Sequence, residues 1–292
     1  MASNKILVTG SNGQLGNELK ELTLLYPQYK FVFFGREKLH ISDQSAVKKV
    51  FQDYEPAYLI NCAAYTAVDK AESEKEQANE INGSAVGFLA TMCKQFEIKF
   101  IHISTDYVFN GNASSPLKEN DAVDPVNAYG ASKLLGEQLA LQNNPDTIII
   151  RTSWVYSFYG KNFVKTMIRL MNEKENISVV NDQVGSPTYA ADLAEAIMQI
   201  VASGKWQGGI YNFSNDGVIT WFDFANEIKR LIGSSCIVTS VATTQFPTPA
   251  KRPKYSVLDK TKIQQTFLIQ PKNWKESLKV CISKLDAGST TH

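Results

Sequence analysis

The sequence predicts an α/β fold of the Rossmann type, a doubly wound parallel sheet joined to a smaller α/β lobe. Three observations carry that expectation. Short runs apolar at almost every position recur through the first half of the chain, which suits strands buried on both faces. Segments of helical period separate them. The first run passes through a glycine-rich turn straight into a helix. Lys5 to Thr9 (KILVT) is the first strand, GSNGQLG the turn, and Leu15, Leu19 and Leu22 the apolar stripe of the first helix. Phe31 to Gly35 (FVFFG) follows as a strand, then a helix capped by Ser42 or Asp43. Tyr58 to Ala64, a helix around INGSAVGFLATMCKQF, and the strand Phe100 to Thr105 continue the alternation. A polar loop over 110–125 precedes the helix AYGASKLLGEQLALQN and the strand Thr147 to Ser153.

After Ser153 the rhythm changes. Helices are expected at NFVKTMIRLMNEK, ADLAEAIMQIVAS and ITWFDFANEIKRLIG, with strands in NISVVNDQVGSPTY and GGIYNFSN and an irregular Pro-rich loop from Thr243 to Pro253. The expected division is a dinucleotide-binding domain over 1–153, a substrate-binding lobe over 154–286 interleaved with late elements of the first domain, and a tail over 287–292.

Composition limits the function classes. The chain has 292 residues, long enough to bury roughly three quarters of its unfolded surface in one large core or two modest ones. Lys+Arg total 30 against Asp+Glu 29, a formal charge of +1, so no global field gathers nucleic acid. Cys62, Cys93, Cys236 and Cys281 form no CxxC, and His40, His102 and His292 form no HExxH, so neither zinc nor a disulfide framework is expected. No run approaches 18 apolar residues and no secretory signal is read at the N-terminus; the expected setting is the cytoplasm, without a membrane partner.

Gly10, Gly13 and Gly16 stand between the first strand and first helix, spaced GxxGxxG where the standard dinucleotide fingerprint is GxGxxG. Such a turn lets backbone approach a pyrophosphate at a helix N-terminus, with Asn12, Gln14 and Leu15 beside it. No acid stands at the tip of the second strand. Arg36 is there instead, either meeting a ribose 2′-phosphate or stacking on adenine, or merely solvated. NADPH is favoured and NADH stays open.

STDYVF followed by YGASK is the reactive signal. Thr105 closes a parallel strand, where open α/β sheets carry chemistry, and Tyr129 and Lys133 share one helix face four residues apart. A phenol titrates near 10, and an ammonium one turn away is expected to favour the phenolate and lower that value. Hydride addition to a carbonyl, with Tyr129 as proton donor and Thr105 holding the oxygen, follows from that trio.

These pieces resemble the extended short-chain dehydrogenase/reductases. KILVTGSNGQLG, NCAAYTAVDKAE, IHISTDYVFNG, PVNAYGASKLLGE, IIIRTSWVYS, DQVGSPTYAADLA and RPKYSVLD span nearly the whole chain, and AYTAVDKAE, STDYVF and RPxxSxLD are specific to one subgroup. Within it, the resemblance implies reduction of the C4 ketone of a nucleotide-linked 4-keto-6-deoxysugar, dTDP-4-dehydro-L-rhamnose. It implies Thr105, Tyr129 and Lys133 as the catalytic triad, and Ala63, Ala64 and Tyr65 along the cofactor channel with Asn82 nearby. Asp106, Tyr107, Trp154, Asn162, Lys165 and Arg252 are the implied substrate contacts. Trp154 equally suits an apolar plug. Arg252, with Lys254 close by, suits either a diphosphate fork or a solvated loop. Cys62 stands where Ala is usual, and LHISD replaces LDITD. A homodimer stays open. Two other readings keep the fold: a non-catalytic nucleotide-binding regulatory subunit, against which the intact triad speaks, and an epimerase or dehydratase. For the latter, Tyr107 occupies the position where an elimination acid is common.

Overall fold

The structure, a computed structural model, describes residues 3–289, with side chains described to 285. Its central sheet is six-stranded and wholly parallel. In chain order the elements begin β1 (Lys5–Thr9), α1 (Gln14–Glu21), β2 (Lys30–Phe34), α2 (Gln44–Tyr54), β3 (Tyr58–Asn61), α3 (Lys75–Asn79), α4 (Ala85–Gln95), β4 (Lys99–Thr105), α5 (Ala128–Asn143) and β5 (Ile148–Thr152). They continue with β6 (Val155–Tyr156), α6 (Phe163–Glu173), β7 (Asn176–Val180), β8 (Val184–Gly185), β9 (Thr188–Tyr189), α7 (Ala190–Ala202), β10 (Gly209–Asn212), β11 (Ile219–Thr220), α8 (Trp221–Ile232), β12 (Ile237–Val241), α9 (Thr261–Phe267) and α10 (Trp274–Ser289). The last helix includes 287–289, which the sequence assigns to the tail; residues 290–292 of that tail lie outside the described residues.

The sheet order is β10-β5-β4-β3-β1-β2. The winding reverses between β1 and β3, and in open α/β sheets the crevice beyond the strand ends at such a reversal receives ligands. The apolar strands serve two cores at once. Ile6, Val8, Ile60, Ile101, Ile148 and Ile150 face α1 and α7, whereas Leu7, Leu59, Phe100 and Ile149 face α2, α4 and α5. That two-sided burial is why the strands read as continuous apolar runs. Its sixth strand is drawn from beyond residue 153, since β10 pairs parallel with β5 and α7 packs in the same core. A separate core gathers Tyr156, Val164, Met167, Phe224, Ile228, Trp274 and Leu278 from α6, α8, α10 and the short strands between them.

Two elements differ from the pattern in the sequence. The strand expected to reach Ala64 ends at Asn61, because the Asn61 carboxamide oxygen accepts the Ala63 N–H at 3.2 Å and turns the chain across the glycine loop. The helix expected from Ile81 begins earlier, and a π-helical turn over Glu80–Ser84 separates α3 from α4. There Asn82 accepts the Tyr65 N–H at 2.8 Å and donates to the Tyr65 carbonyl and the Ser132 hydroxyl, both at 2.9 Å. Such turns recur at functional sites.

Helix α5 starts where the Asn127 side chain accepts the Gly130 N–H at 2.7 Å. It is pinned to the sheet by a buried ion pair: Arg151 on β5 meets Glu137 through Nε at 2.9 Å and Nη2 at 2.7 Å, and Ser104 donates to the same carboxylate at 2.6 Å. Both charged side chains are 2% exposed. Removing one partner strands the other charge, so Glu137→Gln is expected to cost about 3–5 kcal/mol in urea unfolding. Arg169→Ala, which breaks a pair 60% and 52% exposed, is expected to cost less than about 1 kcal/mol. Similar losses in the two variants would contradict this account of α5.

Candidate active site

A cavity of about 770 Å³ opens over the strand ends at the β1/β3 reversal. One end is the glycine loop. Gly10 has a φ of +64°, and a Cβ there would meet the Ala63 nitrogen at 2.5 Å; a Cβ on Gly16 would meet Ser11 Cα at 2.5 Å. Chain packing therefore demands both glycines. At Gly13 the nearest atom to such a Cβ is the Gly10 carbonyl oxygen, 3.3 Å away, so the space above it is bounded by no closer protein atom. Gly13 is also the N-cap of α1, with no side-chain cap and no acid in the first turn. An uncapped N-terminus beside an open glycine is a fitting anion cradle. Asn12, Gln14 and Leu15 line the same space, as do Ala63, Ala64 and Tyr65 after β3.

Arg36 lines the cavity with Leu39, His40 and Ile41, so the altered LHISD segment still supplies an apolar wall. Glu37 turns aside, accepting from Asn12 Nδ2 at 3.2 and 3.3 Å. Asn82 is absent from the lining; it acts from behind, holding the backbone of Tyr65.

The other end brings together Thr105, Asp106, Tyr107, Tyr129 and Lys133. The Thr105 hydroxyl donates to Asp106 Oδ1 at 3.0 Å, and the Tyr107 and Tyr129 rings meet edge-on at 5.7 Å. Asp106 Oδ2 is buried without a close hydrogen bond, and burial lifts that carboxyl to about 6 against the opposing Ser256 and Thr105 hydroxyls. Lys133 Nζ donates to the Ile103 carbonyl at 2.7 Å and lies 3.3 Å from His102 Nε2. Burial draws the ammonium down to about 8, partly offset by Glu137. Burial also pushes Tyr129 up to about 12, with Asp106 adding to the rise and the Thr105 hydroxyl opposing it. The sequence expectation of a phenol lowered by Lys133 is thus reversed. The resting pair is a phenol that stays protonated at neutral pH beside an ammonium made more acidic by burial, so the phenol is present in the form that can donate.

Three expected substrate contacts are committed elsewhere. Asn162 caps α6 and donates to Gln14 Oε1 at 2.9 Å, tying that helix to the glycine loop. Lys165 donates to the Phe158 carbonyl at 3.2 Å, and Lys161 lines the cavity instead. Arg252 grips Asp69 with both terminal nitrogens, at 2.8 and 2.9 Å, so its fork is already filled by a carboxylate. Trp154 does line the cavity. Its backbone is left-handed (φ +48°), and its indole stacks on Trp221 at 3.6 Å, with planes 11° apart, over Gly185. Trp221 also lines the cavity and was missed in the sequence, where it opens a helix with no neighbouring motif.

The RmlD substrate binding domain family matches residues 4–287. The chain belongs to the RmlD family, the dTDP-4-dehydrorhamnose reductases. It is 41% identical over 275 residues to the spore coat polysaccharide biosynthesis protein SpsK of Bacillus subtilis, covering 94% of this chain and 95% of that one. It is 39% identical over 285 residues to the dTDP-4-dehydrorhamnose reductase of Aggregatibacter actinomycetemcomitans, covering 94% and 97%. The crystal structure of a dTDP-4-dehydrorhamnose reductase from Bacillus anthracis in complex with NADP superposes with a TM-score of 0.92 at 40% identity, covering 97% of this chain and 99% of that one. Membership makes this chain a nicotinamide-dependent oxidoreductase of nucleotide-sugar metabolism.

The glycine geometry separates two substitutions. Gly13→Ala is expected to weaken NADPH binding at least about tenfold in a fluorescence titration, with little change in Tm, whereas Gly10→Ala loses Tm through its backbone clash. Full affinity in Gly13→Ala would place the anion elsewhere.

Proposed function

We propose that the chain reduces the C4 ketone of dTDP-4-dehydro-L-rhamnose to the alcohol of dTDP-L-rhamnose, using NADPH in preference to NADH. The observation that carries this reading is the shared cavity, in which a glycine cradle at one end faces Thr105, Tyr129 and Lys133 at the other. Gly10 to Leu15 and Ala63 to Tyr65 hold the dinucleotide, and Arg36 is the cation for a ribose 2′-phosphate. Bound there, a reduced nicotinamide supplies hydride to the carbonyl carbon.

The chain's own residues do the rest. Thr105 donates to the ketone oxygen, and Tyr129, kept protonated by its surroundings, delivers the proton as charge builds there. Lys133 steadies the resulting phenolate and reaches the nicotinamide ribose. The buried Asp106 Oδ2, which has no close hydrogen bond, accepts a sugar hydroxyl, with Tyr107 and Ser256 at its side. Trp154 and Trp221 form a flat wall for the sugar. Lys161, which lines the cavity where Lys165 and Arg252 do not, is the cation assigned to the diphosphate. Four free thiols suit a reducing cytoplasm as the setting.

The test is purified protein with each reduced nicotinamide and a panel of nucleotide-linked 4-keto sugars, followed at the nicotinamide absorbance. Tyr129→Phe is expected to retain cofactor binding and lose about 10²–10⁴-fold in turnover; comparable turnover would remove Tyr129 as the donor. The pH dependence has a definite sign. The ammonium of Lys133 is the active form and is lost as pH rises through about 8, so kcat/KM for reduction should fall above that pH. A profile flat to about pH 10 would exclude Lys133 from that role.

A further inference from the structure

Behind Lys133 lies a buried chain of polar side chains that the proposed reaction does not use. Thr9 at the end of β1 donates its hydroxyl to Asn61 Oδ1 at 2.6 Å. Asn61 Nδ2 lies 3.0 Å from His102 Nδ1, and His102 Nε2 lies 3.3 Å from Lys133 Nζ. Thr9 and His102 are 0% exposed, and Asn61 and Lys133 are 1% exposed.

Donor and acceptor accounting fixes the protons. The Ala63 backbone N–H can only donate, and it points at Asn61 Oδ1 from 3.2 Å. The carboxamide therefore cannot be flipped, and the group facing His102 Nδ1 is the NH₂. Nδ1 must accept. Burial and the neighbouring Lys133 hold His102 well below its usual value, so the ring is neutral and its single proton sits on Nε2. That N–H faces Lys133. An ammonium there meets a donor with a donor; a free amine accepts it.

We propose that His102 is a positioning residue of this site, locked by Asn61 with its Nε2–H toward Lys133, where it favours the amine and so readies the ammonium to pass a proton to Tyr129. The inference rests on the reductase reading for its use in turnover. Reduction leaves Tyr129 as a phenolate. The N–H bond of the Lys133 ammonium breaks, the O–H bond of Tyr129 forms, and the electron pair left on Nζ accepts the His102 N–H; solvent then returns a proton to Nζ. The other charged or titratable groups about Lys133 do not supply this arrangement. On its own helix, Glu137 is engaged by Arg151 and Ser104, and Tyr129 is the group to be reprotonated. At the end of β4, Asp106 is bound to Thr105 and Tyr107 is kept a phenol by burial. After β3, burial keeps Cys62 a thiol.

Two measurements test it. The first uses ¹⁵N-histidine-labelled resting protein carrying His40→Asn and His292→Asn, so that His102 gives the sole histidine signal. The expected spectrum shows a bare Nδ1 and a protonated Nε2, unchanged from about pH 6 to about pH 9. A protonated Nδ1, or an imidazolium within that range, overturns the inference. The second compares pH profiles of kcat/KM for wild type and His102→Phe, which keeps a flat ring and removes the N–H. The alkaline limb is expected to move upward by about one pH unit or more. An unmoved limb with uniformly lower rates would mean His102 only fills space, and overturns the proposal. The tautomer is read without substrate, so inactivity of the wild type would sink the reductase reading and leave the arrangement of His102 to be decided by the spectrum.

Discussion

The site depends on how α5 is pressed against the ends of β4 and β5. Two buried cations do this from opposite directions. Lys133 reaches down from the helix to the Ile103 carbonyl and His102, and Arg151 reaches up from the sheet to Glu137. Neither contact is a cheap source of stability, because each buries charge. Together they fix the height and rotation of the helix, and Tyr129, one turn before Lys133, inherits that position. Thr105 is fixed by the strand beneath. The spacing between hydroxyl, phenol and amine therefore reflects ion placement in the core more than local loop geometry.

A second constraint runs from the glycine loop to the lobe. Gln14 donates to the Val155 carbonyl and accepts from Asn162, so the helix after the glycine loop and the segment leading to α6 share hydrogen bonds. Elsewhere, Arg252 and Asp69 join the Pro-rich loop to the segment after β3, and Asn127 Nδ2 donates to the Lys251 carbonyl at 2.8 Å. Asn162 and Arg252, both expected as ligand contacts, thus also tie separate segments together. The wall surfaces themselves are left to Trp154, Trp221, Arg36 and Lys161.

What the sequence made legible follows from what is local. Strands such as KILVT and TIIIRT show as apolar runs because both faces are covered, and the turn between β1 and α1 shows because its glycines are required within seven residues. Tyr129 and Lys133 show because helical spacing puts them together. Arg252 was not legible: its partner Asp69 is 183 positions away, and nothing near either residue announces the pair. Lys161 precedes the Asn162 cap and Lys165 lies in the first turn after it, and Lys161 is the one that lines the cavity. His102 sits inside FIHIST, where it reads as one interruption of an apolar strand. The chain of partners behind it joins β1, β3, β4 and α5, and exists only after folding.

The proposed reaction depends on the resting state of Tyr129, a phenol held protonated by burial and so available to a developing alkoxide. The direct measurement is a titration of ¹³Cζ-tyrosine-labelled protein by NMR, with the Tyr129 signal assigned by its loss in Tyr129→Phe. That signal is expected to remain that of a phenol at neutral and mildly alkaline pH, with ionisation at about 12. Ionisation of Tyr129 close to neutrality would contradict it, and would mean that the site rests as a base.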